Sequence, residues 1–154
     1  MVILIAALTR DRVIGKDNRM PWHISEESKH FRRLTTGHTL IWGRKTFESA
    51  GRLPKRNIVV VSRTLAGDTE GVDVCRTLEE AIEKARAYGK DIFIAGGAET
   101  YRQALPLADR LYLSYVKKDY DGDAYFPEFD ESEWEVAREE DHSEFVFVEY
   151  RRSK

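Results

Sequence analysis

Glu27 is a carboxylic acid placed where a predicted helix faces the protein interior. It shares one face of that helix with Phe31 and Leu34, four and seven residues further on. An ionised carboxylate on an apolar face is unfavourable unless a ligand or a hydrogen bond compensates it. The pattern predicts an acid that anchors a cationic or amidine-like heterocycle, or else a rotated helix that leaves Glu27 at a solvated rim.

Cations and small residues follow three predicted strands. The segments Gly43-Arg44-Lys45-Thr46 and Ser62-Arg63-Thr64 each offer cations and hydroxyls, and Gly96-Gly97 lets backbone amides approach a diphosphate. Arginine binds phosphate monoesters through paired hydrogen bonds, so two such turns favour NADPH over NADH. Either cationic turn, taken singly, is more typical of ordinary surface cations. Gly96-Gly97 alone is a weak signal, because many turns contain glycine and the segment is not the full dinucleotide-binding fingerprint.

The distribution of charge excludes one class of partner. The chain of 154 residues has a formal net charge of −2, but residues 1–63 hold 13 Lys/Arg against 5 Asp/Glu. Residues 119–144 hold 12 Asp/Glu, and Arg138 is their one basic residue. A general nucleic-acid binder needs a basic surface, so nucleic-acid binding is not predicted for this chain. We interpret the acidic stretch as a solvated face and the basic half as suited to a small anionic ligand.

The cysteine and the apolar runs predict a cytoplasmic protein that does not bind membranes. Cys75 is the single cysteine, so neither a disulfide nor a thiolate metal cluster is expected. The apolar run Val2–Leu8 is interpreted as a buried strand, because no basic segment precedes it as in a signal peptide. No apolar run approaches the ~20 residues that a membrane-spanning helix needs.

The four histidines carry no predicted chemistry. His23, His30, His38 and His142 lack the spacing of a metal site, so no metal is predicted, and the last three are expected at the surface. Trp22 and Trp42 are interpreted as stacking groups or as core, with core favoured for Trp42.

Short apolar runs alternate with helical patterns along the chain. Ser25 is predicted to cap the first helix, Thr77-Leu78-Glu79-Glu80 is a capping box, and Pro106 is predicted to end the fourth helix. The second helix is predicted from about Arg44 to near Gly51. The third helix follows the capping box, and the fourth is predicted from Ala98 to about Leu105. The apolar stripe of the third helix consists of Leu78, Ala81, Ile82 and Ala85. Strands are predicted over residues 2–8, 38–42, 57–61, 91–95, 111–116, 134–139 and 144–151.

These elements predict one α/β domain over residues 1–154. Its sheet is expected to be mostly parallel and twisted, with about eight strands, an antiparallel C-terminal strand and about four flanking helices. Ligands of such sheets bind at the carboxyl ends of the strands, so the loops after Leu8, Trp42, Val61 and Ala95 are the predicted site.

The motifs, taken together and in order, resemble those of bacterial dihydrofolate reductases over essentially the whole chain. No single motif is specific to this family, but the joint order and spacing of the motifs are. The motifs are Ile5-Ala6-Ala7, Val13-Ile14-Gly15, Met20-Pro21-Trp22, Gly43-Arg44-Lys45-Thr46-Phe47-Glu48-Ser49, Leu53-Pro54, Ser62-Arg63, Gly96-Gly97-Ala98-Glu99, Tyr101 and Gly122-Asp123-Ala124-Tyr125-Phe126-Pro127.

The resemblance implies hydride transfer from NADPH to C6 of the pterin of dihydrofolate, with protonation at N5, by a monomer. It implies that Glu27 promotes protonation, with Trp22, Ser114 and Met20 as further catalytic residues. The implied substrate-binding residues are Ile5, Ala6, Glu27, Phe31, Leu53, Arg56, Ala95, Tyr101 and Ser114. The implied cofactor-binding residues are Ala7, Ile14, Gly15, Gly43, Arg44, Lys45, Thr46, Ser62, Arg63, Thr64, Gly96, Gly97, Ala98, Glu99, Tyr101 and Gln103.

The sequence departs from the family pattern at several positions. Glu27 stands where many bacterial members have aspartate, Ser114 where threonine is usual, Ala95 where a larger aliphatic residue is common, and Trp42 where methionine is usual. Relative to the family pattern, one residue is missing between Arg52 and Leu53, which affects the assignment of Arg56 as the partner of the substrate carboxylate.

Two alternatives are a pyrimidine reductase of riboflavin synthesis, which shares the fold, and a non-catalytic nucleotide-binding module. Glu27, the Met20-Pro21-Trp22 loop and Arg56 favour folate over the pyrimidine substrate. Retention of Glu27 and of the whole loop argues against the non-catalytic module.

Overall fold

The alternating strands and helices form a main sheet with helices on both faces, and two short strands form a separate two-stranded sheet. The computed structural model describes residues 1–17, 19–50, 53–64 and 72–153. The strands are β1 Val2–Leu8, β2 Val13–Gly15, β3 Thr39–Gly43, β4 Asn57–Val61, β5 Val72–Cys75, β6 Ile92–Ile94, β7 Arg110–Val116, β8 Ala124–Tyr125, β9 Trp134–Asp141 and β10 Phe145–Arg152. The helices are α1 Ser25–Thr35, α2 Arg44–Ala50, α3 Leu78–Arg86 and α4 Ala98–Ala104, with short 3₁₀ turns at Leu105–Leu107 and Glu131–Glu133.

The main sheet has eight strands within the described ranges, in the order β5-β4-β3-β6-β1-β7-β10-β9. The six strands from β5 to β7 pair in parallel, whereas β10 pairs antiparallel with both β7 and β9. The mostly parallel sheet, its antiparallel C-terminal strand and its four flanking helices confirm the predicted fold class. Because β6 returns to lie between β3 and β1, the loops after these three strands meet at the carboxyl edge of the sheet.

Alternate side chains of β1 point to opposite faces of the sheet. Leu4 and Leu8 belong to a cluster that α3 and α4 cover, and Ile3 and Ile5 belong to a second cluster that contacts Phe31 of α1. Both faces are therefore buried, which explains why β1 is continuously apolar. No helix in the described part of the chain is long and apolar enough to cross a membrane.

Several predicted details of the elements were wrong. Ile24, not Ser25, occupies the N-cap position of α1, and no side chain caps that end. By contrast, the predicted helix from Ala98 to about Leu105 is confirmed to within one residue, and Pro106 lies in the 3₁₀ turn that follows it. The short strands β2, β5 and β8 were not predicted, since two to four residues carry no recognisable period.

The capping box of α3 is present with one difference. Thr77 Oγ1 accepts a hydrogen bond from the Glu80 amide at 3.1 Å, as predicted. The Glu80 carboxylate accepts from the amide of Arg76 at 3.3 Å rather than from that of Thr77. The predicted stripe of Leu78, Ala81, Ile82 and Ala85 is buried. The predicted end of α2 near Gly51 lies outside the described residues.

Candidate active site

Glu27 lies in the first turn of α1 and is only 8% exposed. Trp22 and Ile24, both buried, fix the chain just before the helix and so turn the Glu27 face inward. The carboxylate has no hydrogen-bond or ion-pair partner among the described residues, and its burial raises its pKa from 4.5 to about 7. The structure thus places Glu27 on the buried side of α1, the side that its spacing to Phe31 and Leu34 predicted.

The carboxyl end of β1 brings Ile5, Ala6 and Ala7 to the same region. The Tyr101 hydroxyl of α4 donates a hydrogen bond to the Ile5 carbonyl oxygen at 2.6 Å. Burial and the nearby charge of Glu27 both raise the pKa of Tyr101, so its hydroxyl stays a donor. Ser114 is buried and pairs in register with Ala7, next to Leu113, which pairs with Ala6. Ala7, one residue before the end of the central strand, therefore lies beside the buried Ser114.

Partly buried apolar side chains extend this region along one face of the sheet. Phe31, Leu53 and Ala95 pack against the cluster that contains Ile5 and Trp42. Trp42 is core, as predicted. The indole N–H of Trp42 is buried and has no hydrogen-bond partner in the described part of the chain.

Trp22 is buried, and its ring centroid lies 5.4 Å from that of Tyr120. The indole N–H of Trp22 is buried and finds no acceptor within the described ranges. A buried donor without a partner is costly, so this N–H is suited to an ordered water or a ligand.

The glycines after β3 and β6 form a close cradle. The Gly43 amide donates to the Gly96 carbonyl oxygen at 2.8 Å, and the peptide bond between Gly96 and Gly97 is cis. A Cβ on Gly43 would lie 3.1 Å from Thr100 Oγ1, and one on Gly97 would lie 3.1 Å from Thr46 Oγ1. A side chain at either position would crowd these threonines, so the two glycines leave the turns open to a diphosphate.

Cations line the space beside this cradle. A cleft of about 640 Å³ is bordered by Arg44, Lys45, Glu48 and Ser49 of α2 and by Asp17 and Arg19 of the loop after β2. Arg44 donates to the Glu48 carboxylate at 2.9 Å, an exposed pair that is weak enough for a phosphate to replace.

The turn after β4 carries the second predicted cation. Arg63 and Thr64 are exposed, and the buried Ser62 accepts a hydrogen bond from the Thr64 amide at 3.2 Å. Since β3 and β4 are neighbours in the sheet, both cationic turns lie at the same edge.

Arg56 is largely committed to the end of α1. Its guanidinium donates to Thr35 Oγ1, to the Arg32 carbonyl oxygen, to Thr36 Oγ1 and to the Pro54 carbonyl oxygen, at 2.6 to 3.1 Å. Guanidinium has five N–H donors, so one remains for a ligand. Burial and then the charge of Arg32 lower the pKa of Arg56. The residues around the deletion before Leu53, Gly51 and Arg52, lie outside the described part of the chain.

The loop after β1 is held by the pairing of β2 with β8. Gly15 accepts a hydrogen bond from the Asp123 amide at 3.0 Å, and the Asp17 amide donates to the Asp123 carboxylate at 3.1 Å. Ile14 is half-buried, whereas Met20 is 52% exposed. The loop is thus anchored near Gly15 and open at Met20.

The remaining cofactor candidates lie on α4. Ala98 is half-buried at the start of this helix, next to the cradle. Glu99 forms an ion pair with Arg102 and accepts from Gln103 at 3.1 Å, on the exposed surface of the helix. Glu99 and Gln103 therefore already bond to neighbours on their own helix.

The histidine prediction was wrong for His30, which is only 3% exposed, and His38 and His142 are half-buried. His30 packs its ring against Phe147 of β10, a contact between residues too distant in sequence for any local pattern to indicate. Burial and the charge of Arg33 lower the pKa of His30. His30, Glu140 and His142 lie together, which the sequence analysis missed.

An open α/β sheet with a glycine cradle, cations and a buried acid at its carboxyl edge defines a nucleotide-dependent enzyme. The sequence profile of the dihydrofolate reductase family matches residues 1–152. The chain is 46% identical to a dihydrofolate reductase of Haemophilus influenzae, over 97% of this chain and 88% of that protein. It is 40% identical to a dihydrofolate reductase of Bacillus subtilis, over 91% of this chain and 83% of that protein.

A solved structure is also similar. It is a dihydrofolate reductase from Enterococcus faecalis complexed with NADP(H) and RAB-propyl, with a TM-score of 0.90, 31% identity, and coverage of 100% of this chain and 97% of that one. The chain belongs to the dihydrofolate reductase family. The resemblance seen in the sequence motifs is confirmed.

Proposed function

We propose that this chain reduces 7,8-dihydrofolate to 5,6,7,8-tetrahydrofolate, with NADPH as the cofactor. Membership of the dihydrofolate reductase family supports the reaction. The observation that carries the proposal is Glu27, a buried acid without a partner among the described residues, whose pKa is raised to about 7 at the sheet's carboxyl edge. An acid there can bind the 2-amino group and ring nitrogen of a pterin and promote protonation at N5.

NADPH, when bound, supplies the hydride that reaches pterin C6. Gly43, Gly96 and Gly97 would hold its diphosphate, because side chains at these positions would crowd Thr46 and Thr100. The remaining cofactor residues would act around this cradle. Arg44, Lys45, Ser62, Arg63 and Thr64 would bind its 2′-phosphate, while Ala7, Ile14, Gly15, Thr46, Ala98, Glu99, Tyr101 and Gln103 would line the rest of its site.

The substrate would lie along the apolar wall beside Glu27. Ile5, Ala6, Phe31, Leu53 and Ala95 would pack on its rings, and the buried Ser114 and the Trp22 N–H would support the pterin through ordered water. Tyr101 would hold the end of β1 in place through its bond to Ile5. Met20, at the open part of its loop, would exclude water from the reacting atoms.

Arg56 would bind the α-carboxylate of the glutamate tail of dihydrofolate. Its bonds to Thr35, Arg32, Thr36 and Pro54 fix the plane of the guanidinium, which reduces the entropy lost on binding. One N–H donor and the positive charge remain for the carboxylate.

The direct test is to add dihydrofolate to the purified protein with NADPH and to follow the NADPH absorbance. The absorbance should fall with dihydrofolate and should not fall with the aminopyrimidine substrate of riboflavin synthesis. No fall with dihydrofolate would overturn the proposed reaction, and a fall with the aminopyrimidine alone would support the pyrimidine reductase instead.

We further propose that one domain, residues 1–154, acts as a monomer in the cytoplasm and binds neither nucleic acid nor membranes. The net charge of −2 supports the lack of nucleic-acid binding, and the lone Cys75 supports the cytoplasmic location. Light scattering should give the mass of a single chain of 17.8 kDa.

A further inference from the structure

A cluster of metal-ligating side chains lies away from the proposed active site. His30 of α1, Glu140 of β9 and His142 of the turn between β9 and β10 place one ligand atom each within 4.8 Å of one another. The Glu140 carboxylate is 3.8 Å from His30 Nε2 and 3.4 Å from His142 Nε2. Residues separated by more than a hundred positions thus converge on one point.

The hydrogen bonding of His142 fits a metal ligand. Its Nδ1 lies 3.2 Å from the Glu26 carboxylate, and a carboxylate can only accept, so Nδ1 carries the proton. The other nitrogen, Nε2, is buried and has no hydrogen-bond partner among the described residues. Nε2 lies 3.4 Å from the Glu140 carboxylate, so the two atoms are spaced to bind one cation together. A histidine oriented by a carboxylate is the usual arrangement around protein-bound zinc.

The rings are also held in place by packing. The His142 ring stacks on Phe145, with centroids 4.3 Å apart and an interplanar angle of 13°. The His30 ring lies edge-on to Phe147, with centroids 4.5 Å apart. Two imidazoles fixed by aromatic contacts lose little freedom when they bind a metal.

We propose that His30, Glu140 and His142 form a zinc site that joins α1 to the turn between β9 and β10. Zn²⁺ takes imidazole nitrogen and carboxylate oxygen at roughly 2.0–2.2 Å, so ligands in a tetrahedron stand roughly 3.4 Å apart. The two pairs with Glu140, at 3.4 and 3.8 Å, are already near this spacing, and side-chain rotations must bring the three ligand atoms from within 4.8 Å of one another to it. The fourth position is left to water. The site is independent of the proposed reductase reaction, because none of its three ligands belongs to the substrate or cofactor set.

The test uses untagged, chelator-treated full-length protein titrated with zinc, followed by calorimetry and by thermal unfolding. One zinc per chain should bind, and Tm should rise by roughly 5–10 °C at free zinc a hundredfold above Kd. Cobalt, used as a visible probe, should give the intense d–d absorption of a four-coordinate site.

Variants assign the site to these residues. His142→Ala and Glu140→Gln, both at partly exposed positions, should each weaken zinc at least about tenfold and lose the cobalt absorption. His23→Ala, at an exposed histidine of another loop, is the control and should bind zinc as the parent does. Millimolar or weaker binding by the parent, or parental binding by both cluster variants, would overturn the proposal.

Discussion

At the scale of single residues, Glu27 shows a conflict between folding and chemistry. A carboxyl group whose pKa is 4.5 in the unfolded chain and about 7 in the folded protein binds its proton more tightly when folded. Its contribution to stability is therefore complete below pH 4.5 and is lost as the pH rises through 7. At neutral pH the ligand-free protein keeps an acid that destabilises it, which is typical of a group retained for binding or catalysis.

The first prediction is that Glu27→Gln stabilises the ligand-free protein above pH 7 and changes little near pH 4. The gain should reach up to about 3 kcal/mol, because glutamine has no charge to desolvate. Urea unfolding at pH 4 and pH 8 measures the difference in the free energy of unfolding. Glu79→Gln, at an exposed first-turn glutamate of α3, is the matched control and should show no such pH dependence. An equal gain at both pH values would contradict the assigned pKa.

The second prediction concerns the activity of the same variant. Glu27→Gln should lower turnover of dihydrofolate at pH 7.5 by roughly 10²-fold or more, because the group that promotes protonation at N5 is removed. Acidification should restore part of the rate, since more substrate is then protonated by the solvent. The measurement is a pair of pH–rate profiles at saturating NADPH. Near-parental turnover at pH 7.5 would exclude Glu27 from the proton path.

The third prediction concerns Arg63 and the choice of cofactor. Arg63→Ala should weaken NADPH by roughly 10–100-fold and leave NADH nearly unchanged, because only NADPH has the 2′-phosphate that the guanidinium would bind. Fluorescence titration gives both dissociation constants. Arg86→Ala, at an exposed arginine at the end of α3, is the control. Equal losses for the two cofactors would place the phosphate elsewhere.

At the scale of elements, the pairing of β2 with β8 positions the loop that carries Ile14, Gly15 and Met20. Gly122 lies directly before this pairing, where a Cβ would come within 2.5 Å of the Gly15 carbonyl oxygen and closer still to Val13 Cγ1. The Gly15 carbonyl oxygen belongs to the backbone, so a change of side-chain rotamer cannot relieve this clash. Gly122 therefore keeps the two strands in register.

The fourth prediction is that Gly122→Ala separates β8 from β2. Turnover should fall by roughly tenfold or more as the loop loses its position, and stability should fall by about 1–3 kcal/mol. Hydrogen exchange of the Asp123 amide, which bonds to Gly15, should speed up relative to the parent. Asp121→Ala, at the exposed neighbouring position, should behave as the parent in both measurements. Parental exchange at Asp123 in Gly122→Ala would show that the turn tolerates a side chain.

At the scale of the whole molecule, the buried side chains of the described residues form three clusters around the main sheet. Each cluster holds one of the three tryptophans, Trp134, Trp42 and Trp22 respectively. Because β1 contributes residues to all three clusters, no cluster is separable from the central strand.

The fifth prediction is a single cooperative unfolding transition. Three variants that each keep one tryptophan and carry phenylalanine at the other two positions report on the clusters separately. In each variant the urea midpoint from fluorescence should coincide with that from far-UV circular dichroism. A fluorescence midpoint that precedes the circular dichroism midpoint in one variant would show that its cluster unfolds independently.

The sequence by itself determined the class of fold, the family and most of the proposed site. Val2–Leu8 and Asn57–Val61 carry buried-strand patterns, and the spacing of Glu27, Phe31 and Leu34 already turned the acid inward. These signals are local: they depend on periods of two to four residues, which a single segment contains completely. The family motifs added the order in which these segments occur.

Only the tertiary structure decided what depends on contacts between distant segments. The unpredicted strand β8 forms only by pairing with β2. The guanidinium of Arg56 donates to the end of α1, and His30 is buried because β10 packs on it. His30 and His142 gain a common neighbour, Glu140, only when the C-terminal hairpin folds against α1. Burial, pKa and ligand geometry arise from such long-range packing, and no local period of a sequence encodes them.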